Sequence, residues 1–210
     1  MESPLCADLT PDLRVIETLR WDRGFARLPL HMARLQRTCA ALSFAFDPAT
    51  VHSALTDVAG ASPLRVRLTL GRGGDAAVTV APLAPARPVW RVGLAQARLH
   101  SADPWLAVKT TRRAAYDRAR ATLPDDLDEL IFLNERGEVC EGTITTVFAD
   151  TGTGMVTPPL ACGLLPGVLR AELLASGTCR EGVLRPADLF TARLWVGNSL
   201  RGLIAARWQG

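Results

Sequence analysis

The chain has 210 residues, 48% of them hydrophobic, and a formal net charge of +3. That is enough apolar sequence for one large domain or two smaller ones sharing an interface, and it excludes a disordered polymer. The charge comes from scattered arginines: no basic block interleaved with aromatics marks a nucleic-acid surface, and no apolar run reaches the roughly 18 residues that a membrane span needs.

The five cysteines, Cys6, Cys39, Cys140, Cys162 and Cys179, are odd in number and form no C-x-x-C pair. With three scattered histidines they give no zinc spacing, so reduced thiols and no metal site are expected. Met1–Thr10 lacks a basic start followed by an apolar run, so no signal peptide is expected, and the reading is of a soluble cytoplasmic protein.

Leu13–Trp21 is rich in apolar and β-branched residues and predicts a strand, ended by the turn Asp22-Arg23-Gly24. From Pro29 the period changes: Leu30, Ala33, Leu35, Ala40, Ala41 and Leu42 predict an amphipathic helix, closed by Phe44–Pro48. A second helix is predicted over Ala49–Ala59. Leu64–Leu70 and Ala76–Ala81 predict a hairpin joined by Gly71-Arg72-Gly73-Gly74-Asp75, with Arg65, Arg67 and Thr69 on one half-exposed face. Pro82–Pro88 holds three prolines in seven residues and reads as a linker.

Beyond the linker, strands are predicted at Trp90–Ala97 and at Trp105–Lys109, with Lys109 at the strand end. A helix follows over Arg112–Thr122, then a strand at Leu127–Asn134 and a turn at Glu135–Glu138. Val139–Ala149 contains one further strand, Gly152 and Gly154 lie in the next turn, and Met155–Thr157 is short and extended. A helix runs from near Gly167 to Ala175, Ala187–Leu189 makes one helical turn, and strands close the chain at Leu194–Gly197 and Leu203–Trp208.

Of the 24 Lys and Arg residues, Lys109 is the only lysine. Arginine replaces lysine for charge and phosphate contacts, but it supplies no primary amine that loses its proton and forms a Schiff base. The count alone fits both that chemistry and an incidental surface lysine. Glu141 stands beside Gly142 and before small hydroxyl residues, which suits a groove close to a ligand and equally a solvated turn. In Leu165-Pro166-Gly167-Val168-Leu169-Arg170 a glycine opens a helix, which is either an anion site built of free N–H groups or an ordinary helix start. Taken together the three fit pyridoxal phosphate (PLP), which needs an amine for its aldehyde, a carboxylate for its ring nitrogen and a cup for its phosphate.

Six features in order then resemble the class IV aminotransferases, the fold-type IV PLP enzymes, over nearly the whole chain. Ile16-Glu17-Thr18-Leu19-Arg20 is similar to the family's E-T strand, and His31-Met32-Ala33-Arg34-Leu35 to its H-x-x-R-L helix. Lys109 and Glu141 fall where its lysine and carboxylate stand. Leu164–Arg170 is similar to its L-x-G-x-x-R loop, and Gly197-Asn198-Ser199-Leu200 to its late loop. The resemblance implies an α+β fold of two domains, D-amino acid aminotransferase-like, with PLP in the interdomain cleft. Residues 1–85 would form the small N-terminal domain and residues 86–210 the larger PLP-binding domain. It implies a Schiff base on Lys109 and a pyridine-nitrogen partner in Glu141. Phosphate contacts would come from Arg34, from the backbone of Gly167, Val168 and Leu169, and from the Asn198-Ser199 turn. His31 would orient its helix, while Arg72 and Tyr116 are candidates for substrate contact, each also readable as a solvated or packing residue.

The chain departs from the pattern in three places. Only about fifteen residues precede Glu17, where relatives have an extra hairpin. Leu169 replaces a threonine, and Thr145-Thr146 stand where relatives have an asparagine before the Val-Phe pair, here Val147-Phe148. Within the family, Asn198-Ser199-Leu200 and Lys109-Thr110-Thr111-Arg112 look like the 4-amino-4-deoxychorismate lyases. That activity would release pyruvate and 4-aminobenzoate for folate synthesis, from a small-molecule substrate that a partner aminodeoxychorismate synthase would deliver to a homodimer. An aminotransferase acting on branched-chain or D-amino acids is the alternative, and a non-catalytic PLP-binding homologue the remote one.

Overall fold

The structure is a computed structural model that describes Leu5, residues 9–85 and residues 87–210. Cys6, Ala86 of the linker and most of Met1–Thr10 lie outside the described residues. Two compact units emerge. The first takes the described residues up to Pro85 together with Val108–Arg112, and the second takes the rest. Lys109 therefore belongs to the first unit although it follows the linker.

In the first unit β1 (Val15–Trp21), β2 (Leu64–Leu70) and β3 (Ala76–Pro82) form an antiparallel sheet in the order β1-β2-β3. The register pairs Val15 with Leu70, Glu17 with Leu68 and Leu19 with Val66, and all six are buried on one face. Arg65, Arg67 and Thr69 alternate onto the other face, as the period-two pattern predicts. Helix α1 (Leu28–Leu42) buries His31, Arg34, Leu35, Thr38, Cys39 and Leu42, the stripe that a three-to-four residue spacing makes. Helix α2 (Pro48–Leu55) is capped by Asp47, whose carboxylate accepts from the N–H groups of Ala49 and Thr50 at 3.0 and 3.1 Å. It stops short of the predicted Ala59 because nothing between Leu55 and Gly60 is buried.

The predicted strand Trp105–Lys109 is absent. Asp103 accepts from the N–H of Trp105 at 2.9 Å, and Pro104–Ala107 turns as one 3-10 helix. Proline fixes its own φ and lacks a ladder donor, so Asp-Pro starts a turn here instead of a strand. Lys109 sits instead on a lone rung beside β1. Its carbonyl accepts from Ile16 at 2.8 Å, Thr110 bridges to Val15, and the N–H of Thr111 donates to the carbonyl of Arg14 at 2.9 Å.

The second unit is built on an eight-stranded mixed sheet in the order β6-β5-β4-β11-β10-β7-β8-β9. Its strands are β4 (Val89–Leu99), β5 (Glu129–Asn134), β6 (Val139–Gly142), β7 (Thr146–Asp150), β8 (Val156–Thr157), β9 (Arg180–Glu181), β10 (Arg193–Asn198) and β11 (Gly202–Trp208). The helices are α3 (Ala114–Ala121), α4 (Val168–Ala175) and α5 (Pro186–Thr191). Val92, Ile131, Val139, Val147 and Val196 anchor one core cluster, and Leu99, Leu106, Phe132, Cys140, Cys162 and Leu164 another.

The single strand predicted within Val139–Ala149 is two strands, β6 and β7, parted by a turn over residues 143–145. Glu129, fully buried at the start of β5, causes the break. Its carboxylate accepts from the N–H groups of Thr143 and Ile144, at 3.0 and 3.2 Å, and from the hydroxyls of Thr143 and Thr145, at 2.5 and 2.9 Å. A continuous strand would leave that carboxylate buried without these donors. Among the described residues Cys39, Cys140, Cys162 and Cys179 are buried and unpaired, and no helix is long and apolar enough to cross a membrane.

Candidate functional site

In the first unit, two consecutive residues of β1 connect the predicted site residues. The N–H of Ile16 holds the carbonyl of Lys109, and the side chain of Glu17 holds Arg34. Arg34 grips Glu17 as a fork, Nε to Oε1 at 2.8 Å and Nη2 to Oε2 at 2.5 Å. His31 Nδ1 lies 2.6 Å from Glu17 Oε2. All three side chains are buried. Burial works to raise the Glu17 carboxyl. The charge and hydrogen bonds of Arg34, then those of His31, overcome it and hold the group at about 2. An ionised carboxylate only accepts, so the proton of that contact sits on His31 Nδ1. Glu17 thus orients both motif residues of α1, a role the sequence did not assign to it. Arg72 is exposed at the tip of the β2–β3 hairpin, and its carbonyl accepts from the N–H of Ala45 at 3.0 Å.

In the second unit, the structure gathers the remaining predicted residues. Between the pairs Ile131–Gly142 and Leu133–Val139, β5 advances by two residues while β6 advances by three. This extra residue is a bulge, which re-aims side chains locally. Cys140 packs among Leu99, Phe132 and Leu164. Glu141, next to it, is buried and accepts at Oε1 from the hydroxyl of Tyr116 at 2.7 Å and from the N–H of Leu165 at 3.2 Å. Tyr116, a candidate for substrate contact, therefore directs its hydroxyl to Glu141.

Leu165 leads directly into α4. Gly167 stands at the N-cap in an extended conformation, and no side chain caps the helix, so the first-turn N–H groups of Val168 and Leu169 are left facing out of the helix end. Two glycines permit close packing around this end. A Cβ on Gly167 would lie 2.8 Å from the Thr146 hydroxyl oxygen, and one on Gly197 would lie 2.8 Å from both the Gly202 carbonyl oxygen and a Leu169 methyl. The helix start, Thr146 and the end of β10 consequently meet. Asn198 ties the next turn to its surroundings. Its Oδ1 accepts from the N–H of Arg201 at 3.0 Å, and its Nδ2 donates to the carbonyl of Ile144 at 3.1 Å. Ser199 follows it, buried.

This chain's residues fit PLP group by group: a half-buried lysine, a buried carboxylate already held by two donors, and an uncapped helix start walled by glycines. The residues to which the sequence assigned no role are Glu17, Glu129, Arg113 at the N-cap of α3 and Arg120 within it. Arg113 Nη2 donates to the carbonyl of Thr143 at 3.2 Å, and Arg120 Nη1 to its hydroxyl at 2.9 Å. The available signal was a glutamate inside an apolar strand, since such a residue is almost never fully buried unless partnered.

Comparison with known proteins gives concordant findings. Residues 14–207 match the family model described as Amino-transferase class IV. A Schizosaccharomyces pombe protein named "Putative aminodeoxychorismate lyase" is 29% identical over 186 residues, which cover 83% of this chain and 80% of that protein. A solved structure from Mesorhizobium loti, "Putative amino-acid aminotransferase", is 46% identical with a TM-score of 0.88, covering 94% of this chain and 100% of that one. A hypothetical aminotransferase from Mycobacterium tuberculosis, solved in a PLP-bound form, is 25% identical with a TM-score of 0.76, covering 94% of this chain and 81% of that one.

Proposed function

The chain belongs to the class IV aminotransferases, a family of PLP-dependent enzymes, and from that premise we propose that it is a 4-amino-4-deoxychorismate lyase. The observation that carries this reading over transamination is the Gly197-Asn198-Ser199-Leu200 turn. It has the lyase-like residues, and Asn198 is bound through both atoms of its amide. The name of the Schizosaccharomyces pombe relative supports the same reading.

In this proposal Lys109 carries the cofactor on its amine. Arg34, the N–H groups of Val168 and Leu169 after Gly167, and Ser199 hold the phosphate, with Asn198 shaping the turn. Glu141 holds the proton of the ring nitrogen. PLP, when bound, supplies the aldehyde for the lysine and an electron sink. Lys109 Nζ would take the proton from C4 of the substrate. The C3–O bond would break, enolpyruvate would leave and be protonated to pyruvate, and the ring that has lost both would be aromatic 4-aminobenzoate. The proposal includes a homodimer in the cytoplasm, supplied by a synthase that makes aminodeoxychorismate.

The test is incubation of the PLP-loaded protein with fresh 4-amino-4-deoxychorismate. Equal amounts of 4-aminobenzoate and pyruvate are expected, and both disappear in Lys109→Ala together with the borohydride-trapped adduct. A yellow, folded protein that gives neither product overturns the lyase reading. The second reading, an amino-acid aminotransferase, is favoured by the name of the Mesorhizobium loti structure. It predicts amino transfer from a donor panel to 2-oxoglutarate or pyruvate.

A further inference from the structure

Helix α3 has eight residues and none of them is buried. So short a helix is not stable by itself, and its tertiary anchors are polar and partly aromatic. Arg113 at its N-cap and Arg120 in its last turn both reach Thr143. Between them Tyr116 packs edge-on against Phe132, with ring centroids 5.2 Å apart, and donates its hydroxyl to Glu141 Oε1 at 2.7 Å. Three anchors of one helix thus converge on the turn that follows Glu141 and on Glu141 itself. We propose that Tyr116 is a positioning residue, whose phenolic O–H holds the Glu141 carboxylate ionised and in one orientation. This rests on the reading of Glu141 as partner of the cofactor's ring nitrogen.

The surroundings keep the phenol a donor. Partial burial, then the neighbouring Glu141, pushes its acidity far to the alkaline side, so it stays protonated throughout the physiological range. Cys140 on β6 stays a neutral thiol, because burial and then Glu141 push it up as well. The guanidinium of Arg113 lies 5.7 Å from the ring centroid, and Arg120 is drawn to Thr143 and Glu129. The N–H of Leu165 also donates to the same oxygen, at 3.2 Å. A hydrogen bond to a carboxylate favours its charged form, by about one to two pH units for a good donor. Without Tyr116, Glu141 therefore takes up a proton at higher pH.

Tyr116 is the only tyrosine of the chain. Growth on 3-fluorotyrosine labels that one residue and makes its phenol a stronger donor. The PLP-loaded protein is titrated toward acid by the visible band of the bound cofactor and by the fluorine resonance. The expected result is an acid transition seen by both probes. Read by the visible band alone, it moves up about one to two pH units in Tyr116→Phe, with unchanged far-ultraviolet circular dichroism; it moves down on fluorination and is missing in Glu141→Gln. A transition abolished by Glu141→Gln but unmoved by both tyrosine changes overturns the positioning role and leaves the ring-nitrogen reading standing. A transition that Glu141→Gln does not alter overturns the ring-nitrogen reading and the proposal with it.

Discussion

Removing the Glu129 carboxylate is expected to cost the second unit a large part of its stability. The group has no solvent exposure and accepts from the backbone N–H groups of Leu130, Thr143 and Ile144 and from the hydroxyls of Thr143 and Thr145. The hydroxyls can turn to other acceptors and Ile144 is exposed, so their loss is discounted. The N–H groups of Leu130 and Thr143 are buried, and each costs about 1–3 kcal/mol when left without an acceptor. Arg120 also loses the charge that lies 3.6 Å away, at a partly exposed and weakly contributing distance. Glu129→Ala should therefore destabilise by roughly 2–6 kcal/mol, against about 5–15 kcal/mol for a whole domain. Urea unfolding followed by tryptophan fluorescence reads this unit, since four of the five tryptophans (Trp90, Trp105, Trp195 and Trp208) lie in it. Glu129→Gln keeps one acceptor oxygen and should fall between. An alanine variant within about 1 kcal/mol of wild type would refute the argument that this carboxylate organises the turn.

The Gly197→Ala side chain would meet the Gly202 carbonyl oxygen and Leu169, each 2.8 Å from its Cβ. Because one of these is backbone, a cost of about 1–3 kcal/mol is expected, together with weaker PLP binding, both read by urea midpoint and cofactor titration. The Glu17 carboxyl is held at about 2, below its ordinary 4.5. Its contribution to stability is thus fully present above about pH 4.5 and is lost as pH falls toward 2. Melting temperatures measured across that window should fall less steeply in Glu17→Gln than in wild type. Arg34→Lys keeps the charge but loses the two-point grip on Glu17, and it should weaken PLP binding on the order of tenfold, measured by equilibrium titration.

What could be read from the sequence was whatever is encoded over a few residues. The alternation of Leu64–Leu70, the helical stripe of α1 and the glycine before α4 all act locally, and each is found where its pattern places it. Lys109 stood out by its residue type, as the lone lysine. Its setting did not, because the rung that holds it is made with β1, more than ninety residues earlier. The break between β6 and β7 was hidden for the same reason: its cause, Glu129, lies 14 to 16 residues upstream of the groups it binds. The bulge at Glu141 is a mismatch between two strands, and neither strand alone records it.

Both units nevertheless rest on the same device. In each, a glutamate sits in a strand beside buried apolar residues: Glu17 after Ile16 and two before Leu19, and Glu129 before Leu130 and Ile131. A carboxylate there is costly unless several donors reach it, so its presence announces partners without naming them. In the first unit the partners are the His31 and Arg34 side chains of α1, and in the second they belong to the turn that follows Glu141. Glu17 binds Arg34, and Glu129 binds the turn that follows Glu141, so in each unit the glutamate lies beside a residue to which the proposal assigns cofactor chemistry. A buried charge in a strand is therefore a better pointer to these residues than the exposed arginines, whose number dwarfs it. Arg72 shows the contrast: it is exposed at a hairpin tip, and nothing in its surroundings demands an arginine.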